Sequence, residues 1–136
     1  MQEISINFWA LLGFVAVRIA VGMVWYSPGV FWKPWSKVTK ISEKDMKAGM
    51  VKGMASDLIG SLIMAFVLLH AIKYAGASHD LAKGLAVSFF NWLGLVATVQ
   101  FGMTAYENRP TKFFGIISGY QLVTILLGGA VLTMWG

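Results

Sequence analysis

Long apolar stretches alternate with short polar segments along this chain, and the pattern predicts four membrane-spanning helices. A spanning helix needs about 20 mostly apolar residues, because the hydrocarbon core is about 30 Å thick and a helix rises about 1.5 Å per residue. Four stretches meet this requirement, at about 5–26, 54–74, 83–105 and 114–135. They do not alternate as barrel strands do. The expected fold class is therefore all-α, with a single four-helix transmembrane domain over 1–136.

Composition favours the same class of protein. The chain has 136 residues, of which 57% are hydrophobic and 12% charged, and its mean hydropathy is +0.68. A soluble domain carries about 25% charged residues, so this chain has too little polar surface to cover a globule. The chain has no cysteine and two histidines. We therefore expect no disulfide, no metal site and no cofactor.

Lysine and arginine are distributed unequally between the connections. The segment 27–53 carries six lysines and the third connection carries Arg109 and Lys112, whereas the second connection has only Lys73 and Lys83. Cytoplasmic loops of membrane proteins are enriched in these residues. The distribution predicts that the first and third connections lie in the cytoplasm and that both termini lie outside it.

The longest connection, 27–53, is expected to lie along the membrane surface. Pro28 and Pro34 are expected to interrupt helical structure, and the aromatic rings around them are typical of the headgroup level. Ser42 followed by Asp45 predicts the start of a short amphipathic interfacial helix. The apolar face of that helix repeats at Met46, Met50 and Met54. The lysines either anchor this segment on the cytoplasmic side or bind anionic lipid.

The net charge of +5 comes mostly from this segment. Its aromatic residues are better explained by the bilayer surface than by base stacking, so no nucleic-acid partner is expected.

Arg18 is the most informative single residue. It lies about 12 Å inside the predicted cytoplasmic end of the first span, where a charge costs a few kcal/mol unless it faces a partner or a wet cavity. Asp57, near the cytoplasmic start of the antiparallel second span, is the expected partner. Three roles are open: an ion pair that fixes helix register, an arginine that extends to the headgroups, and a substrate or ion site.

Other polar residues of the predicted spans fall at a similar depth and outline a polar cavity in the cytoplasmic half of the bundle. They are Gln100, Thr104, Ser118, Tyr120 and Gln121. The alternative is that these side chains join helices through hydrogen bonds worth about 0.6 kcal/mol each.

Small residues recur every four positions and predict close helix crossings, within one chain or between copies. They are Ala16 with Ala20, Gly94 with Thr98 and Gly102, and Gly115 with Gly119. A homo-oligomer is expected, because four spans alone bury their polar residues poorly.

The chain lacks the spacings typical of catalytic motifs, such as His-Glu-x-x-His or Gly-x-Ser-x-Gly, so we expect no enzyme activity. Two classes of function remain. The first is a small oligomeric transporter or channel for a small anionic or neutral solute. The second is a non-transporting membrane subunit or scaffold that binds a partner protein or lipid.

Several short motifs resemble a known family. They are Trp25-Tyr26-Ser27-Pro28, Phe31-Trp32-Lys33-Pro34-Trp35, Lys47-Ala48-Gly49, Tyr106-Glu107-Asn108-Arg109-Pro110 and Gly119-Tyr120. Together they are similar to the bacterial domain-of-unknown-function family 1761, over nearly the whole chain. The resemblance implies a four-span protein of the bacterial inner membrane and brings no established activity.

The shared motifs draw attention to a cytoplasmic mouth. Its residues are Trp25, Tyr26, Pro28, Trp35, Glu107 and Arg109, beside Tyr120. Two interpretations fit this set. Glu107 and Arg109 lock the exit of the first helix across the loops, or the aromatic residues frame an entrance.

Overall fold

The computed structural model describes residues 4–136, and all regular structure in this range is helical. In chain order the helices are α1 (Phe8–Trp25), α2 (Trp32–Thr39), α3 (Glu43–Ala48), α4 (Met50–Tyr74), α5 (Leu81–Asn91), α6 (Thr98–Tyr106) and α7 (Thr111–Trp135). A π-helical segment, Trp92–Ala97, joins α5 to α6 without a break. Within the described range, α1, α4, the continuous stretch Leu81–Tyr106 and α7 are long and apolar enough to cross a membrane. The prediction of an all-α chain with four such helices is confirmed.

Side-chain caps mark the start of two of the spanning helices, α1 and the stretch that begins with α5. The Asn7 side chain accepts a hydrogen bond from the Trp9 amide at 3.1 Å, and the Asp80 side chain accepts one from the Lys83 amide at 3.2 Å. Each cap satisfies an amide that has no partner inside its helix. The span α4 begins at Met50, four residues before the predicted start.

The connection between α1 and α4 contains two short helices, where the sequence predicted one. Pro34 does not interrupt helical structure, because it is the third residue of α2 and an amide there has no intrahelical partner to lose. Ser42 and Asp45 form the predicted capping box at the start of α3. Since α3 ends before Met50, both Met50 and Met54 belong to the spanning helix α4 rather than to a surface helix.

The central helix is α7, which packs against α1, α4, α5 and α6. Glycine makes the closest of these contacts possible. A side chain of even one carbon would overlap the Phe14 ring at Gly128 and the Ser88 side chain at Gly129. Gly84 of α5 contacts α7 in the same way. These glycines make room for side chains of the neighbouring helices, so that α1, α5 and α7 pack closely, as helices with small residues do in membrane bundles.

The small residues identified by spacing lie mostly elsewhere. A carbon added at Gly94, Gly102 or Gly115 would meet nothing within 4 Å, so these positions make no close crossing inside the chain. Gly119 is the exception, since an added carbon there would lie 3.2 Å from the Trp25 ring. The expected crossings at Gly94, Gly102 and Gly115 are therefore not made within one chain.

The two ends of the bundle are built differently. Apolar side chains fill the end that holds the start of α1 and the end of α7, with Phe14, Leu69 and Leu132 almost fully buried. The opposite end carries α2 and α3, and we call it the α2–α3 end. Towards that end the interior between α1, α4 and α7 contains buried polar residues, among them Arg18 and Ser61.

Gly128→Ala should destabilise the protein, because its new methyl group overlaps the Phe14 ring. Overpacking of this kind costs about 1–3 kcal/mol. The matched control is Gly115→Ala on the same helix, where the space is open and alanine gains helix propensity. Thermal unfolding in detergent measures both variants. Equal melting temperatures for the two would contradict the packing described here.

Candidate functional site

Arg18 extends from α1 between α4 and α7, and only 4% of it is exposed. Its Nε donates to Ser61 Oγ at 2.8 Å, and its Nη1 donates to Gln121 Oε1 at 2.7 Å and to Thr124 Oγ1 at 3.1 Å. One guanidinium group therefore joins three of the four spanning helices. Hydrogen bonds to a charged group contribute about 1.5–3 kcal/mol each.

The expected ion pair with Asp57 is present but long. The distance from Arg18 Nη2 to Asp57 Oδ1 is 3.4 Å, and the Asp57 side chain is 47% exposed. The guanidinium therefore makes its shorter contacts with uncharged acceptors. The Asp57 carboxylate lies farther away and compensates the positive charge.

Tyr120 completes the surroundings of the arginine. Its ring centroid lies 5.3 Å from Arg18 Cζ, within the range of a cation–π contact. Its hydroxyl donates to the Arg18 carbonyl at 3.0 Å. The same tyrosine therefore contacts both the side chain and the backbone of Arg18.

Helical spacing explains why these side chains converge. Asp57 and Ser61 are four residues apart on α4, and Gln121 and Thr124 are three residues apart on α7. Residues at these separations share a helix face. Both faces point towards α1, which supplies the arginine that they bind.

A cavity of about 410 Å³ opens between α1 and α4 beside this network, and we call it the Arg18 cavity. Residues 50–60 of α4 are all exposed whereas Ser61 is buried, so α1 and α4 diverge towards the α2–α3 end. The polar lining residues are Arg18, Asp57, Tyr26 and Tyr120. The remaining lining residues are Ile19, four methionines (Met23, Met46, Met50 and Met54) and three glycines (Gly22, Gly49 and Gly53).

Four of the polar residues predicted for a pathway come together here. Arg18, Asp57 and Tyr120 line the cavity. Gln121 does not line it but accepts a hydrogen bond from Arg18. The cavity is therefore polar at its inner end and apolar along its walls. Binding sites for small molecules commonly have this arrangement, in which a few polar groups lie in an apolar pocket.

The other three predicted pathway residues lie on the far side of α7. Gln100, Thr104 and Ser118 do not line the Arg18 cavity. Thr104 Oγ1 donates to the Gln100 carbonyl at 2.7 Å, and the Ser118 carbonyl accepts from Trp92 Nε1 at 2.9 Å. The sequence grouped these residues with Arg18 by depth, but the structure places them on helix faces that do not line the Arg18 cavity.

Sequence reasoning missed Ser61 and Thr124, whose hydroxyl groups accept hydrogen bonds from Arg18. The available signal was the chemistry of arginine, whose five N–H donors require several acceptors when the group is buried. Ser61 lies four residues after Asp57, and Thr124 three after Gln121, so helical spacing pointed to both.

The aromatic residues of the predicted mouth pack where α1 ends. Trp25 Nε1 donates to the Ile116 carbonyl at 3.0 Å, which fixes the end of α1 against α7. The Tyr26 ring lies between Tyr120 and Trp35, with centroid distances of 5.4 Å and 6.0 Å. Since Tyr26 also lines the Arg18 cavity, these rings form one boundary of its opening.

Glu107 and Arg109 pair with each other within their own turn. The distance from Arg109 Nε to Glu107 Oε2 is 2.7 Å, and Arg109 Cζ lies 4.7 Å from the Phe113 ring centroid. Within residues 4–136, the ion pair of Glu107 is with Arg109 rather than with a group at the exit of α1. This geometry favours the aromatic entrance over the loop lock.

A second cavity of about 230 Å³ lies next to the first, on the α2–α3 side. It shares Met46 and Met50 with the Arg18 cavity. Its other lining residues are Pro28, Trp32, Glu43 and Lys47. Met46 and Met50 therefore lie between the Arg18 cavity and this second cavity, which contains charged side chains and lies nearer the membrane surface.

Comparison with known proteins gives one match. The family model described as a protein of unknown function (DUF1761) matches residues 9–133, and the chain therefore belongs to this family. The match extends from α1 into α7 and includes every residue of the Arg18 network. No curated protein and no solved structure matched the chain.

Proposed function

We propose that this member of the DUF1761 family is a membrane transporter for a small anionic or neutral solute, and that the Arg18 cavity is its binding site. The observation that carries the proposal is a buried guanidinium at the inner end of an otherwise apolar cavity. A cation in a low-dielectric site attracts an anion or a hydrogen-bond acceptor strongly. Because Asp57 offsets the charge, an uncharged acceptor also fits. The proposal involves no chemical conversion of the solute.

One-sided access favours a transporter over an open channel. The cavity is bounded inwards by the Arg18 network, beyond which Phe14, Leu69 and Ile125 belong to the packed core. A solute would cross only if the helices exchanged this arrangement for one open at the other end. Such alternating access, with a fixed site near the middle of the membrane, is common among transporters.

The alternative is a non-transporting subunit that binds lipid or a partner protein. The packed core beyond Arg18 supports it, because the described structure leads from the cavity to only one end. The second cavity supports binding of a lipid headgroup that carries both charges, since Trp32, Lys47 and Glu43 all line it. Binding without flux would favour this alternative.

We also propose a homo-oligomer. The stretch Leu81–Tyr106 is the least buried of the four spans, and its Gly94 and Gly102 leave open space on the outer surface. A helix of a second copy fits such a surface. Native mass spectrometry of the gently extracted protein counts the copies, and single copies at every protein concentration would contradict the proposal.

We place the protein in the bacterial inner membrane, with the α2–α3 end in the cytoplasm and both termini outside. The natural chain has no cysteine, so single cysteines report accessibility without background. In intact spheroplasts, a membrane-impermeant maleimide should label Ser78→Cys, in the turn before α5, and should not label Lys44→Cys on α3. The reverse pattern would show the opposite orientation.

Transport is tested with benzenesulfonate, a small permanent anion with an apolar ring that crosses bilayers poorly. Proteoliposomes of the wild-type chain should take up the radiolabelled anion, and Arg18→Gln should abolish uptake because the cavity loses its cation. Lys73→Gln is the matched control, since it removes one positive charge in the last turn of α4, at the opposite end.

Binding of the same anion in detergent separates the two candidate functions. Arg18-dependent binding with uptake supports the transporter. Arg18-dependent binding without uptake supports the non-transporting subunit. If neither the binding nor the uptake of benzenesulfonate depends on Arg18, the Arg18 cavity is not a binding site for a small water-soluble anion.

A further inference from the structure

The Arg18 cavity is open towards the side of the bundle, between α1 and α4. Met23 on α1 is 73% exposed and Met54 on α4 is 59% exposed, and both line the cavity. Their exposed surfaces belong to spanning helices, so they face the region that acyl chains occupy. The cavity therefore opens to one leaflet of the bilayer through a gap that is lined by Met23 and Met54.

The charged end of the cavity lies below the level of the headgroups. Arg18 is seven residues before the end of α1 and Asp57 is seven residues after the start of α4. At about 1.5 Å per residue, both lie roughly 10 Å inside the spans. A ligand that reaches them sideways keeps its apolar part in an apolar environment throughout.

We infer that the ligand of this cavity is a long-chain anionic amphiphile that enters from the bilayer leaflet. Its acidic head binds Arg18, and its chain passes out between Met23 and Met54. This inference rests on the proposed function: it keeps the Arg18 cavity as the binding site and replaces the small solute by an anion that carries a long apolar chain. Methionine side chains are flexible and polarizable, so the site tolerates chains of different shape while selecting the head by charge.

Asp57 is the group that the acidic head replaces. Arg18 Nη2 contacts Asp57 at 3.4 Å, whereas Nε and Nη1 are held by the shorter bonds to Ser61, Gln121 and Thr124. A carboxylate from the ligand can therefore take the place of Asp57 without moving the guanidinium. In the empty protein, Asp57 competes with the ligand for Arg18.

Oleate labelled with ¹³C at its carboxyl group is the probe for this inference. It is titrated into the full chain in phosphatidylcholine nanodiscs, where site-bound and bilayer-dissolved oleate are distinguished by their carboxyl resonances. We expect a saturable bound resonance that oleyl alcohol does not displace, because the alcohol lacks the charge. Arg18→Gln should eliminate it, and Lys73→Gln should leave it unchanged.

Two variants that keep Arg18 make the test independent of any folding defect in Arg18→Gln. Asp57→Asn should bind oleate at least about two-fold more tightly, because the substitution removes the carboxylate that competes for Arg18. Gly53→Leu should weaken oleate binding, because the leucine side chain fills cavity space that the acyl chain of oleate would occupy. Its Cβ would meet nothing within 4 Å, so the helix tolerates the substitution.

Benzenesulfonate in the same nanodiscs distinguishes the inference from the function on which it rests. If it binds through Arg18 while oleate gives only the bilayer resonance, the substrate is a water-soluble anion and the lateral-entry inference is wrong. If neither probe shows an Arg18-dependent signal, the proposed binding site is wrong as well. Weaker oleate binding by Asp57→Asn would contradict the competition between Asp57 and the ligand.

Discussion

The buried guanidinium of Arg18 is the constraint on which the arrangement of the bundle depends. A charge inside a membrane protein is tolerated only where its donors are satisfied. Ser61 on α4 and Gln121 with Thr124 on α7 supply three acceptors within 3.1 Å. These contacts fix α1, α4 and α7 in rotation and in depth, since a shift of one residue along any of the three would separate donor from acceptor.

The rest of the bundle is organised around this group. On one side of it, Gly128 and Gly129 let α7 approach α1 and α5 closely, and apolar side chains fill the interior. On the other side, α1 and α4 diverge and leave the Arg18 cavity open. Close packing at one end stabilises the helices, so that the other end can hold a cavity without loss of the fold.

The sequence was sufficient for the features that depend on composition and local chemistry. Span number follows from apolar length, the capping box from Ser42 and Asp45, and the pairing of Arg18 with Asp57 from the need to compensate a buried charge. Depth alone did not reveal that Ser118 faces away from Arg18, because depth says nothing about rotation around the helix axis. The glycine at 128 was missed for the same reason, since its role depends on which face meets Phe14.

Hydrogen exchange at the two arginine side chains tests the central role of the buried guanidinium most directly. The chain has only Arg18 and Arg109, so their Nε–H resonances are assigned by one substitution. Nε–H of Arg18 is buried and bonded to Ser61, whereas that of Arg109 pairs with Glu107 in an exposed turn. We expect the Arg18 proton to exchange at least about tenfold more slowly in nanodiscs. Equal exchange at the two sites would show that the Arg18 network does not hold the bundle together.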